Sequence, residues 1–256
     1  MKDVAATHTA RATTRARRSQ TPTAEQYLAS AVASLVTRDD NHVAVAVDDL
    51  TTGKSASYNG TNTEFITASI VKADILATLL HQTGDDLTSY EQELATTMIE
   101  NSDNDSATAL YQEIGGASAL AAANKTFGLT QTTPSVHWGL TTTTADDQLQ
   151  ILRQIFTSDS VLSAASRSYI QDLMSQVEAD QRWGVPAAAS SGTTYYVKNG
   201  WDPHPVLWEI NSIGEITHDG QRMLIAVLSR YNASESSGIS LIQQVAEAAA
   251  TGMART

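Results

Sequence analysis

Ser69 and Lys72 stand three residues apart in Ser69-Ile70-Val71-Lys72. On a helix, residues at i and i+3 share a face. A serine hydroxyl is a weak nucleophile at its own pKa and needs a base within hydrogen-bond reach. Lys72 lies in a run with almost no polar face: Ile70, Val71, Ala73, Ile75, Leu76, Ala77, Leu79 and Leu80. Desolvation and nearby positive charge in such a helix lower a lysine's pKa and let it accept a proton. A helix starting at or just before Ser69 also puts Oγ near a positive dipole end, which favours developing negative charge.

Two further clusters follow. Ser102-Asp103-Asn104 falls between two helical stretches. All three residue types serve equally well as caps and turns. In a chemical reading, Ser102 relays a proton to a leaving group, Asn104 holds the Lys72 ammonium and a substrate amide, and Asp103 braces the loop. Lys198-Asn199-Gly200 closes a strand that begins at Tyr195. A glycine there allows close approach to the backbone. Lys198 would bring positive charge near Ser102 and a substrate carboxylate. The N–H groups of Ser69 and Trp201 would form an oxyanion hole. A hairpin turn with a solvated lysine is the alternative reading of this cluster.

These residues need elements to hold them. Apolar spacing predicts a helix over 23–37, a strand from His42 to Val47, a turn at 51–53 and a short strand from Lys54 to Asn59. The stretch 69–80 reads as a buried helix, being apolar nearly all round. Helices are expected over 89–100, 105–114, 116–126, 144–156 and 163–178, with Thr143 or Thr144 capping the one before Asp146. Strands return at 195–198, 205–213 and 223–229, with turns at Gly200 and Asp219-Gly220, and a last helix covers 239–251. Strands at both ends and helices between imply an α/β (α+β) fold. Its antiparallel sheet is built from N- and C-terminal segments and flanked by the terminal helices, with an inserted all-helical lobe. The expected division is an α/β lobe of 22–68 plus 179–256 and a helical lobe of 69–178.

Composition narrows the function classes. With 256 residues, 41% apolar and 17% charged, the chain can bury a sizeable core. The net charge is −12, while residues 1–20 alone carry +4. The acidic remainder argues against nucleic acid as a partner. Residues 1–21 read as a disordered basic leader without the apolar core of a signal peptide. No apolar run approaches the roughly 20 residues of a membrane span. There is no cysteine and no histidine pair at ligand spacing, so no metal site is expected. Zero cysteine fits a chain folded outside the cytoplasm without disulfides.

The three clusters, in this order, resemble the S-x-x-K, S-D-N and K-T-G signature of the penicillin-recognising serine enzymes, specifically the class A β-lactamase-like branch. The likeness covers roughly residues 22–256. Val197 to Trp201, followed by Asn211-Ser212-Ile213-Gly214, is similar to a subset described as serine hydrolases. The resemblance implies Ser69 as the acylated nucleophile, Lys72 as its base and Ser102 as a third catalytic residue. It implies substrate contacts from Asn104, Lys198, Asn199, Gly200 and Trp201, with a looser match of Arg222 to a carboxylate-binding arginine. It also implies no cofactor, a small-molecule or peptidoglycan-type substrate, a monomer, and a secreted or extracytoplasmic setting.

Two departures bear on activity. Asn199 stands where the family has a hydroxyl residue. The family's hydrolytic members carry a glutamate, in an E-x-x-L-N segment, that positions the deacylating water. Here residues 128–144 contain neither Asp nor Glu. His137 lies on that stretch, where a lone histidine is ordinarily a solvated side chain. The expectation is an acyl-enzyme on Ser69 with a β-lactam or related amide or ester, and slow deacylation. A non-turnover binder of penicillins or cell-wall fragments, and a D-alanyl peptidase or esterase, are the alternatives.

Overall fold

The computed structural model describes residues 22–36, 42–61, 65–203 and 207–255. The basic leader of residues 1–21 lies outside them. Strand β1 (Val43–Asp49) pairs with β2 (Lys54–Tyr58) across a tight turn. A small ribbon joins β3 (Phe65–Ile66) to β4 (Thr142–Thr143). Three C-terminal strands, β5 (Tyr196–Asp202), β6 (Trp208–His218) and β7 (Gln221–Asn232), complete the main antiparallel sheet in the order β2-β1-β7-β6-β5.

The alternation within β1 shows why both sheet faces are covered. Val43, Val45 and Val47 face α1 (Ala24–Leu35) and α8 (Glu235–Ala254), packing with Leu28, Val32, Ile242 and Val245. Ala44 and Ala46 face the other way, with Ile213, Leu224, Ala226 and Leu228, into the helical side. All seven β1 residues are buried, as expected for a central strand between two layers. Both terminal helices are capped by side chains: Thr23 accepts from Gln26 N–H and Ser234 from Ser237 N–H.

The middle of the chain is helical: α2 (Val71–Thr83), α3 (Ser89–Glu100), α4 (Asn104–Glu113), α5 (Gly116–Phe127), α6 (Ala145–Phe156) and α7 (Ala164–Ser175). Helix α2 is the buried axis of this layer, with ten consecutive buried residues from Val71 to Leu80. Thr144 caps α6, and Asp146 and Asp147 fill its first turn, where acids suit the dipole.

Three local expectations need correction. Gly200 lies inside β5, not in a turn, because the strand continues to Asp202 in register with β6. The strand expected from residue 205 begins at Trp208, and residues 204–206 lie outside the described chain. Ser69 sits in a 3-10 turn (Ala68–Ile70) just ahead of α2, rather than in the α-helix. Among the described residues no helix is long and apolar enough to cross a membrane.

Candidate active site

The turn carrying Ser69 is held by its neighbours. Ala68 adopts φ 46°, a left-handed conformation that costs a non-glycine residue roughly 1–3 kcal/mol and needs outside support. Support comes from Asn211 on β6, whose Nδ2 donates to the carbonyls of Ile66 (2.8 Å) and Thr67 (3.2 Å). Asn211 Oδ1 accepts from Ser229 N–H at 3.3 Å, so one buried amide ties β6, β7 and the approach to Ser69 together. Gly200 supplies the space. A Cβ there would lie 2.7 Å from Ser69 N and Thr67 O. The close approach its bareness permits is that of the turn's own backbone.

Lys72 is fully buried one turn further on. Its Nζ donates to the Ser102 carbonyl (2.6 Å), Ser102 Oγ (3.1 Å) and Asn104 Oδ1 (2.8 Å). An ammonium has three donors, and these acceptors use all three. Ser102 has φ 55°, so that both its carbonyl and its hydroxyl reach the same lysine. Asp103 caps α4 through Ser106 N–H at 2.7 Å, which fixes where Asn104 begins the helix. Burial lowers the Lys72 pKa to about 7, partly opposed by the Asp103 carboxylate.

Lys198 is also fully buried and reaches the same serine from the sheet side. Its Nζ donates to Ser102 Oγ (2.9 Å) and to the Asn199 carbonyl (3.0 Å). Burial, with the Lys72 charge second, holds its pKa well below the usual lysine range. Ser102 Oγ therefore lies between two lysines whose charged forms are both disfavoured, an arrangement suited to passing a proton.

Asn199 and Arg222 do not join this cluster. Alternation along β5 turns Asn199 away from Lys198, and its Nδ2 donates to the carbonyls of Gln181 (2.6 Å) and Trp183 (3.0 Å). Arg222 is bound by two 2.8 Å hydrogen bonds to Glu215. It registers with Thr217, whereas Lys198 registers with Ile213, four residues along the same strand. The expected substrate contacts find no support in the positions of these two side chains. Trp201 follows Gly200 on the strand and packs edge-on against Trp183, with ring centres 5.8 Å apart.

Three positioning residues escaped the sequence reading. Asn211 figured only as part of the stretch Asn211-Ser212-Ile213-Gly214, with no role attached. Gln181 Nε2 donates to the Asn101 carbonyl at 3.1 Å, linking the Ser102 loop to the segment that Asn199 holds. Trp138, in a 3-10 turn (Trp138–Leu140), lays its ring 4.8 Å from Lys72 Nζ. Its only signal was that it is the one large aromatic in a stretch without acids. His137, beside it, is exposed. Among the described residues no group of three or more His, Cys, Asp or Glu could hold a metal ion.

Known proteins share this framework. The family model described as "Beta-lactamase enzyme family" matches residues 26–94 and 88–252. No curated protein sequence matches the chain. A class A β-lactamase representative from Bacteroides cellulosilyticus DSM 14838 superposes with a TM-score of 0.79 at 16% identity, covering 92% of this chain and 100% of that one. A β-lactamase from Chitinophaga pinensis DSM 2588 gives 0.76 at 19% identity, over 91% and 99%. A point mutant of PBP-A, solved as its acyl-enzyme complex with penicillin G, gives 0.76 at 21% identity, over 90% and 97%.

Proposed function

The chain belongs to the β-lactamase enzyme family, and on that premise we propose that it is a serine hydrolase forming an acyl-enzyme on Ser69 with a β-lactam or a related amide or ester. The observation that carries the proposal is Lys72, buried one turn from Ser69 with a pKa of about 7. In its neutral form Lys72 takes the Ser69 proton as Oγ attacks the carbonyl carbon. The N–H groups of Ser69 and Trp201 receive the oxyanion. Ser102 delivers a proton to the leaving nitrogen or oxygen, and the lysines on either side of it supply and replace that proton. Lys198 pairs with a substrate carboxylate, and Asn104 holds the substrate amide while also binding Lys72. On this reading the site lies between an α/β lobe (22–68 with 179–256) and a helical lobe (69–178).

Acylation needs nothing further. Deacylation needs a base for water, and residues 128–144 offer no carboxylate, which leaves the task to Lys72, already bound to Ser102 and Asn104. Hydrolysis is therefore slow relative to acylation. Because a PBP-A variant has been solved as its penicillin G acyl-enzyme, that penicillin is a sensible first probe. The test is a time course of intact mass with benzylpenicillin, for wild type and Ser69→Ala. A persistent single adduct on wild type and none on the variant is expected. Rapid turnover without an adduct, or an adduct that survives the substitution, would sink the proposal.

A further inference from the structure

The 128–144 stretch does more than lack an acid. Trp138 fills a defined position beside Lys72. Its ring face lies 4.8 Å from Lys72 Nζ, on a group whose three donors already point at Ser102 and Asn104. Its Nε1–H donates to Thr108 Oγ1 at 3.1 Å, one helical turn beyond Asn104 on α4. The turn is fastened at both ends. Leu140 N–H donates to the His137 carbonyl (2.8 Å), and Thr141 N–H to the Trp138 carbonyl (3.1 Å). Thr67 N–H, just ahead of the nucleophile turn, donates to the Thr141 carbonyl at 2.8 Å. Tyr111 Oη donates to the Ser135 carbonyl at 2.7 Å. The indole is thus set against the reacting groups by both α4 and the Ser69 turn. The indole also lines an open cavity of roughly 340 Å³ together with Tyr111, Val136, Leu140 and Asp202.

We propose that Trp138 is a water-excluding residue that prolongs the acyl-enzyme: its indole occupies the approach by which a water molecule would reach Lys72 and the acyl carbonyl together. This rests on the reading of Ser69 as the acylated residue. In the step it suppresses, a water oxygen bonds to the acyl carbon while its proton passes to neutral Lys72. The bond from that carbon to Ser69 Oγ then breaks, and Oγ recovers the proton from Lys72, leaving a free carboxylic acid. Lys72 is able to serve as base in this half as in the first. What it lacks, with an aromatic face and three protein acceptors around it, is a place for water. An aromatic face also attracts a cation, so the ring tolerates Lys72 when it carries the proton taken from water without opening its site.

The test separates the two halves of the reaction by intact mass and single-turnover kinetics with benzylpenicillin, on wild type, Trp138→Phe, Trp138→Ala and Thr108→Val. Trp138→Ala is expected to shorten the adduct lifetime at least about tenfold while acylation changes less. Trp138→Phe, which keeps a ring over Lys72, should retain a lifetime within about threefold of wild type. Thr108→Val removes the acceptor that holds the indole and should shorten the lifetime severalfold, so the proposal stays testable if the alanine variant folds poorly. Equal lifetimes across wild type, Trp138→Ala and Thr108→Val, with acylation intact, overturn this inference and leave the acyl-enzyme reading standing. Absence of any adduct on wild type overturns both.

Discussion

On one side of Lys72, Ser102 and Asn104 present three oxygen acceptors within 3.1 Å; on the other, the 128–144 stretch presents an indole face at 4.8 Å and no carboxylate. The first side is assembled from three separate segments of chain, the first of them carrying both the Ser69 turn and α2. The Ser69 turn with α2, the Ser102 loop and β5 converge on it, and two of its residues hold left-handed backbone to do so. Such a constellation persists only if the whole scaffold supports it. The second side belongs to one connecting stretch, which contributes no strand to the five-stranded sheet. If the proposed acylation and deacylation hold, the difference teaches that the two halves of one reaction have separate structural owners, so one can be intact while the other is curtailed.

The strongest way to break this contrast is at Lys72. Lys72→Ala is expected to slow acylation by benzylpenicillin on the order of 10²–10⁴-fold, the usual contribution of a positioned acid–base group. Single-turnover mass measurements give the rate directly, and a near-wild-type rate would remove Lys72 from the chemistry. The pH profile sharpens the same point. Lys72 acts as a base only when neutral, and its pKa is about 7. Below that value the acylation rate should rise about tenfold per pH unit and then level off above it. A lysine with the ordinary pKa of about 10.4 would give a profile still rising well above neutrality.

A smaller effect is expected at the frame. Asn211→Leu leaves the Ile66 and Thr67 carbonyls and Ser229 N–H without their amide partner. A loss of about 1–3 kcal/mol in urea unfolding should accompany slower acylation, because the Ser69 turn loses its tether to the sheet. Slower acylation at unchanged stability would point instead to direct substrate contact by Asn211.

The mildest prediction concerns Asp74, two residues from Lys72 on the same helix. Both its oxygens are buried without a hydrogen-bond partner. Burial, then the Asp147 charge, raises its pKa to about 8. Between about pH 4 and 8 the folded chain therefore keeps a proton that the unfolded chain loses, so stability falls as pH rises through that window. Asp74→Asn should flatten this slope and stabilise the fold at about pH 8 by on the order of 1–3 kcal/mol, with acylation largely unchanged. Parallel stability–pH curves for the two proteins would show that Asp74 ionises normally.

Much of this could be read from the residues alone, for stated reasons. The buried helix after Ser69 was legible because apolar and small residues leave it almost no polar face, and the sheet because Val and Ala alternate in β1 with period two. The meeting of Lys72, Ser102, Asn104 and Lys198 was expected from motif order. Asn199 and Arg222 were assigned by likeness to a pattern, and strand parity and a competing carboxylate took each elsewhere. Asn211 and Trp138 were not legible, because nothing local says that an amide in one strand will reach a turn 144 residues earlier, or that one loop aromatic will settle on a lysine.

The pairing of Asn199 with the carbonyls of Gln181 and Trp183 has a wider reach than its two hydrogen bonds. Gln181 in turn grips the carbonyl of Asn101, next to Ser102. The chain from Lys198's strand to the Ser102 loop is thus laced by two amide side chains in series, and the spacing of the two lysines about Ser102 Oγ is gauged by that lacing. The one residue that departs from the third motif is in this way a rivet between the second and third. Its identity is bound to the course of a segment eighteen residues earlier, because a hydroxyl at position 199 has one donor hydrogen and could hold only one of the two carbonyls.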